Sequence, residues 1–236
     1  MSKVVLSLYD YTGEALRPWA EAGYSCYAFD IQHPKEGRVD QGICYQYADL
    51  HDLKTFLDLK DEFSNKDVVF GMAFPVCTDL SVAGSGRFKS KAEANPSFQT
   101  EAVSYAMWCA NFFNMIDVPY FVENPVSVLA TKWRKPDYYF HPYEYGGYIR
   151  DDEAAHPRWP EYIAPRDAYK KKTCLWTGGG FVMPTKVAVD PEAYHGNGYS
   201  TQMMKLGGKS QRTKDIRSAT PRGFAEAVYQ SNKGEN

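Results

Sequence analysis

The chain of 236 residues contains no long apolar run. Near the amino terminus the stretch from Val4 to Tyr9 is six residues and is interrupted by Ser7, too short for a signal sequence, and nothing approaches a transmembrane span. The five cysteines, Cys26, Cys44, Cys77, Cys109 and Cys174, include no CxxC pair, which argues against zinc, against any other metal centre and against a disulfide framework. Repeats, low-complexity tracts and a GxGxxG loop are also missing. A soluble cytoplasmic protein with reduced thiols is expected.

Positive charge is scarce overall, at a net −2, yet it is unevenly placed. Between Lys170 and Arg222 there are ten Lys or Arg against three Asp or Glu, whereas residues 1 to 169 carry about −8. Phosphate contacts need only one basic face, so nucleic acid stays open as a partner, beside the plainer reading of a solvated surface.

The first half alternates short apolar runs with amphipathic ones. KVVLSLYD, SCYAFDI, GICYQYADL, DVVFGMAF and YFVEN read as strands; GEALRPWAEAG, DLKTFLDLKDEF and residues 96–117 read as helices. That alternation predicts a doubly wound, mostly parallel α/β sheet. Ligands of such sheets lie beyond the carboxyl ends of the strands, where Asp10, Asp30, Cys77 and Glu123 fall. After Pro125 the texture changes, with KTCLW as the next strand-like segment and TPRGFAEAVYQSN as a closing helix capped by Thr220, with Pro221 in its first position. The expected organisation is a core over 1–149, an insertion over 150–169, a core strand over 170–176, a small irregular recognition region over 177–216, and a helix over 217–236 returning to the core.

An acid at a strand end, then Thr12-Gly13 and a helix, gives a turn whose backbone can approach a ligand closely. Asp30 is placed to accept two ribose hydroxyls, and Asp49 to receive an adenine amino group. Each acid alone is as well explained as a cap. Three at successive strand ends favour a nucleoside-bearing cofactor, and the missing phosphate-gripping loop favours S-adenosylmethionine over a dinucleotide. Tyr11, Ile31 and Phe74 adjoin these positions and complete the expected cofactor set with Asp10, Thr12 and Gly13.

Cys77 is either a small buried hydrophobe or a nucleophile in the polar loop FPVCTDLS. Glu123-Asn124-Pro125 is either a common turn or a proton donor held by a rigid proline. Together a thiolate and an acid on adjacent strands can attack and protonate an electron-poor ring. Carbon 5 of a pyrimidine becomes nucleophilic once a thiolate adds at carbon 6, and protonation of ring nitrogen 3 stabilises the adduct.

The order and spacing of LYDYTGEALRPWAEAGYSCYAFDI, FPVCTDLS, VENP, YEYGG, KKKTCLW and IRSATPRGFAEAV resembles the DNA cytosine-5 methyltransferases, most closely a compact phage-type branch. The resemblance implies a Rossmann-like S-adenosylmethionine-dependent fold, Cys77 as nucleophile, Glu123 as donor to ring nitrogen 3, and Asn124 and Pro125 shaping that acid. It places Lys171 and Thr173 at the base, and it implies DNA as partner and a host cytoplasm if the source is a phage. Three positions depart from the family. Thr78 stands for Gln, Pro75 precedes Val76, and Lys171-Lys172-Thr173 replaces an Arg-rich strand opening, keeping a cation without its planar fork. No motif follows Arg222 to complete the cofactor pocket.

Thr78 and Ser81 are expected beside the base. Arg87 and its neighbours Lys89 and Lys91 are expected along one side of a DNA strand, with the basic stretch KLGGKSQRTKDIR along the other. In that stretch Lys205, Lys209, Arg212, Lys214 and Arg217 neutralise phosphates from a flexible loop, with Gly207-Gly208 allowing close approach. Tyr194, His195 and Tyr199 stack on bases or pack the loop, and His156 reads as a surface or capping histidine. The base must be flipped out of a duplex or presented on a single strand. A related enzyme acting on another base or making another product, and an inactive DNA-binding relative, remain the alternatives.

Overall fold

A computed structural model describes residues 2–192, 201–207 and 210–234. The chain forms two compact units, one of Met1–Tyr139 with Lys172–Phe181, the other of Phe140–Lys171 with Val182–Asn236.

The first unit carries β1 (Val4–Leu8), α1 (Arg17–Glu21), β2 (Ser25–Asp30), β3 (Arg38–Asp40), β4 (Ile43–Tyr47), α2 (Leu53–Phe63), β5 (Val68–Ala73), α3 (Phe88–Ala94), α4 (Phe98–Met115), β6 (Tyr120–Pro125) and α5 (Leu129–Lys132). Strand β7 (Tyr138–Phe140) lies at the boundary, and β8 (Thr173–Gly178) returns to the sheet, whose order is β3-β4-β2-β1-β5-β6-β8-β7. The run β4-β2-β1-β5-β6 is parallel throughout. Strand β3 is antiparallel to β4, and β8 is antiparallel to β6. The molecule is therefore a mixed α/β sheet of eight strands with helices, parallel where βα alternation is unbroken.

Alternation along each strand divides the apolar residues between two faces. Leu6, Leu8, Tyr120 and Val122 join Phe56, Phe63, Phe112 and Phe113 of α2 and α4 in one cluster. On the other face Trp19 of α1 stacks on Phe70 at 5.1 Å, and Phe70 and Phe121 both meet Phe181. Helices on both faces make the sheet doubly wound. α2 shows why its sequence is helical: Asp52 accepts from the Lys54 amide as cap, Phe56, Leu59 and Phe63 form one buried stripe, and Lys54 and Asp58 pair on the outside. α4 lies close against β5 because Gly71 leaves room for the Phe113 ring, which any Cβ there would strike.

The segment after β1 differs from the single helix expected. Residues Glu14–Leu16 form a 3₁₀ turn, and α1 begins only at Arg17, with Pro18 in its first turn.

In the second unit, α6 (Thr201–Lys205), α7 (Gln211–Ser218) and α8 (Arg222–Asn232) follow a series of short 3₁₀ turns. The basic stretch expected to be a flexible loop is in large part helix α7, capped by Ser210, whose hydroxyl accepts from the Thr213 amide. Ile216, Ala219 and Leu206 are buried with Trp159, Ile163 and Tyr169, so residues 150–169 help form a core rather than an appendage. α8 starts one residue later than expected, with Pro221 as cap residue, and groups with this unit. The Asp167 carboxylate accepts from the Gly223 amide in its first turn.

Candidate active site

The parallel strands reverse direction of winding at β1, which lies between β2 and β5. The carboxyl ends of β1 and β5 therefore flank a topological switch point, the place where open α/β sheets bind ligands. The Phe74 amide donates to the Leu8 carbonyl at 3.0 Å and holds the two strand exits side by side.

Tyr9 leaves β1 with φ 57°, an uncommon conformation for a residue other than glycine, and its hydroxyl donates to the Leu50 carbonyl at 2.6 Å. Asp10 behind it is buried. Ser7 Oγ donates to its Oδ2 at 2.7 Å, while the Gly13 amide, at 2.7 Å, and Thr12 Oγ1 reach its Oδ1. Burial raises the Asp10 pKa above the ordinary carboxylate value, against the Ser7 and Gly13 hydrogen bonds that lower it. Asp10 thus shapes the turn from inside. Gly13 does adopt a left-handed φ of 70°, but the space beside it is filled: a Cβ would run into the Tyr45 ring, whose hydroxyl reaches toward the Thr12 carbonyl at 3.5 Å. The open backbone turn expected there is covered by Tyr45. Tyr11 is half-buried and stacks on His33 at 5.6 Å.

The next two strand ends are less occupied. Asp30 is 7% exposed, and its Oδ1 accepts from the Gln32 amide at 2.8 Å and from Gln32 Nε2 at 3.2 Å, leaving Oδ2 with no protein donor among the described residues. Ile31 beside it is 53% exposed. The half-buried Asp49 accepts from the His51 amide at 3.0 Å through Oδ1. Asp30, Ile31 and Asp49 fit a nucleoside, offering carboxylate acceptors beside an apolar face.

Cys77 is exposed, whereas Cys26, Cys109 and Cys174 are buried. Its carbonyl accepts from the Leu80 amide at 3.1 Å and the Ser81 amide at 2.9 Å, which curls the loop directly after the thiol. The loop is stitched to the segment following β6. Asn124 Nδ2 donates to the Pro75 carbonyl at 2.9 Å, Val82 N to Val126 O at 3.1 Å, Val128 N to Leu80 O at 3.0 Å, and Ser81 forms an antiparallel bridge with Ser127. The Cys77 loop and the Glu123-Asn124-Pro125 turn are thus one hydrogen-bonded body at the exits of neighbouring strands. Glu123 is half-buried, lies opposite Leu175 in register, and its charge adds to burial in pushing the Cys174 thiol up to about 11. Among the described residues Asn124 Oδ1 and Ser127 Oγ are buried with no partner.

The remaining expected contacts fall in different places. Thr78 and Arg87 are exposed and Ser81 is half-buried on the Cys77 loop, where Lys91 pairs with Asp79. Phe74 is half-buried and meets Phe121 edge-on. Thr173 is buried in β8 opposite Pro125. Lys171 belongs to the second unit, where its Nζ donates to the Arg217 carbonyl at 2.9 Å. Lys205 Nζ donates to Glu161 O at 2.8 Å, the Arg217 guanidinium donates to Leu206 O at 2.6 Å, and Arg212 lies over the Tyr162 ring. Each of these cations has an internal contact; Lys214 is exposed. Lys209, Gly208, Tyr194, His195 and Tyr199 lie outside the described residues. His156 is buried and caps a turn, its Nδ1 accepting from the Arg158 and Trp159 amides.

Sequence reasoning missed His33 and Tyr45. Both are single aromatic residues without a motif, and only the approach of β4 to the turn after β1 reveals them. Among the described residues no group of three or more His, Cys, Asp or Glu is placed to hold a metal, and no helix is long and apolar enough to cross a membrane.

No protein-family model matches the chain, and no curated protein matches it in sequence. A solved structure of a prophage-encoded E. coli chain, assigned as a candidate DNA modification methyltransferase, is similar at 13% identity with a TM-score of 0.43, over 75% of this chain and 46% of that one. The chain spans less than half the length of that protein.

Proposed function

We propose that this chain is a Rossmann-like S-adenosylmethionine-dependent methyltransferase acting on carbon 5 of cytosine in DNA. The observation that carries the reading is the stitched pair of motifs. An exposed thiol on the exit loop of β5 is bound through Asn124 to the turn that bears Glu123 on the adjacent strand. In this reading Cys77 adds to carbon 6 of the ring, and Glu123 holds the proton at ring nitrogen 3. Asn124 fixes the distance between the two groups, and Pro125 fixes the exit of the acid's strand. Carbon 5, made nucleophilic by the addition, receives the new group, and loss of its proton then expels the Cys77 sulfur.

When bound, S-adenosylmethionine supplies the electrophilic methyl. Asp30, Ile31 and Asp49 would hold its nucleoside, with Tyr11 and Phe74 at the margins of the same crevice. Asp10, Thr12 and Gly13 form the turn beneath. Thr78 and Ser81 face the base; Arg87, Lys205, Lys209, Arg212, Lys214 and Arg217 meet phosphates; Lys171 and Thr173 serve base placement. The organisation proposed is a catalytic sheet with a separate DNA-recognition region.

Covalent trapping tests the reading. DNA containing 5-fluorocytosine, incubated with the chain and S-adenosylmethionine, should yield a stable adduct that Cys77→Ser abolishes, because fluorine cannot leave carbon 5 as a proton does. An adduct on a different base, identified by mass spectrometry of the linked nucleoside, would replace cytosine with that base. Salt-sensitive DNA binding with no adduct and no dependence on Cys77 would leave a binding relative without turnover.

A further inference from the structure

We propose that His33 is a second ligand acceptor at the turn after β2 and that, together with Asp30, it reads the two adjacent hydroxyls of a ribose. The inference rests on the reading that a ribonucleoside-bearing cofactor occupies the carboxyl ends of the strands, and it deepens that reading by naming a residue and a discrimination.

The chemistry of the ring is fixed by its surroundings. His33 is 4% exposed, and its Nε2 lies 3.1 Å from the Asp10 carbonyl oxygen. A carbonyl has only lone pairs, so Nε2 must carry the hydrogen and Nδ1 must present a bare lone pair. Burial lowers the His33 pKa, which keeps the imidazole in this neutral form. That Nδ1 is buried and has no partner among the described residues. The ring is held between Tyr11, stacked at 5.6 Å, and Tyr45, edge-on at 5.2 Å. Buried acceptors are ordinarily paired, and this one is anchored on its other side where it cannot reach a partner of its own.

The neighbouring acceptor is Asp30. The His33 amide donates to the Asp30 carbonyl at 3.3 Å, so both side chains issue from one tight turn at the end of β2. Asp30 Oδ2 has no protein donor either. Two acceptors on one turn, one of them a carboxylate, repel phosphate and call for two donors close together. Vicinal hydroxyls supply them; a 2′-deoxyribose supplies one. The arrangement therefore selects a ribonucleoside and excludes its deoxy counterpart, a useful property in a protein surrounded by DNA.

Calorimetry on the full chain decides the matter, using S-adenosylhomocysteine and its 2′-deoxy and 3′-deoxy counterparts. For the unaltered chain, removing the hydroxyl that meets His33 should weaken binding by about tenfold or more, as an unmade hydrogen bond in a dry site does. His33→Phe preserves the ring between Tyr11 and Tyr45 and deletes both nitrogens. It should weaken S-adenosylhomocysteine by about tenfold and shrink the preference for ribose to within about twofold, the signature of two groups that act on each other. An undiminished preference in the variant overturns the proposal. Should the variant not fold, the imidazole nitrogen resonances of the unaltered chain give the answer: Nδ1 of His33 must shift when S-adenosylhomocysteine is added, and an unmoved signal overturns it. If the unaltered chain binds no S-adenosylhomocysteine, the cofactor reading fails on its own. AMP and dAMP then stand in as probes. A preference for AMP that His33→Phe removes upholds the role of His33, and equal binding of the two nucleotides refutes it.

Discussion

Asn124 donates through Nδ2 to the carbonyl of Pro75 at 2.9 Å, across 49 residues of sequence and between the exits of two neighbouring strands. The bond fixes the thiol two residues after Pro75 against the acid one residue before Asn124. Asn124→Ala should cost about 1–3 kcal/mol of stability, because a buried carbonyl loses its donor. If the bond sets the spacing of the reacting groups, turnover should fall by about a hundredfold. S-adenosylhomocysteine binding, measured by calorimetry, should stay unchanged because the cofactor residues lie at other strand ends. A variant that methylates at the original rate would remove Asn124 from the argument.

The turn after β1 gives a prediction about shape. Gly13 has φ 70°, and a Cβ there would strike the Tyr45 ring. Gly13→Ala should therefore lose about 1–2 kcal/mol to the left-handed backbone alone, plus the cost of moving Tyr45. Tyr45→Ala in the same chain should relieve the collision and leave the backbone cost. Urea denaturation of the two single variants and the double variant separates the parts. Additive losses would show that the ring yields freely.

These two relationships mark where the sequence stops being legible. Strands β1, β2, β5 and β6 were readable because VVLSL, SCYAFD, VVFGMA and YFVENP are apolar runs that the sheet buries. Strand β3 was not, because Arg38, Val39 and Asp40 are all exposed and carry no pattern. Helix α7 hid for a different reason. Its charged face dominates QRTKDIRS, and only Thr213 and Ile216, three apart, show the side that packs. The locations of Cys77 and Glu123 at strand ends followed from local pattern. Tyr45 over Gly13 and His33 beneath Asp10 depend on strand pairing 20 or more residues away, which no local pattern encodes.

Asp10 makes stability depend on pH in a direction that can be worked out. Its pKa in the folded chain is above the model value of 3.8, so the folded state holds this proton more tightly than the unfolded one. The stabilisation is complete below 3.8 and is lost as pH rises through the folded value. Asp10→Asn cannot titrate but keeps an acceptor for the Gly13 amide. The wild type should thus lose stability relative to this variant as pH rises, by no more than about 1.4 kcal/mol per pH unit. Urea midpoints of both proteins across the acid to neutral range test this. A difference that is flat with pH, or that moves in favour of the wild type, would contradict the burial of a costly carboxylate.

Selective alkylation probes the property that any nucleophilic role for Cys77 requires, access. Burial pushes the Cys26 thiol up to about 12 and the Cys174 thiol up to about 11, and it raises Cys109 as well. Few of these thiols are thiolate at mildly alkaline pH, and all three are shielded. Cys77 is exposed and Cys44 is half-buried. Brief treatment of the native chain with iodoacetamide should therefore modify Cys77 first, Cys44 more slowly and the other three only after unfolding, as read by peptide mass spectrometry. Cys77→Ser should remove the fast phase. The modified chain should also fail to trap 5-fluorocytosine DNA, since the sulfur that would bond carbon 6 is already occupied. Trapping that survives complete alkylation at Cys77 would mean that another group attacks the base.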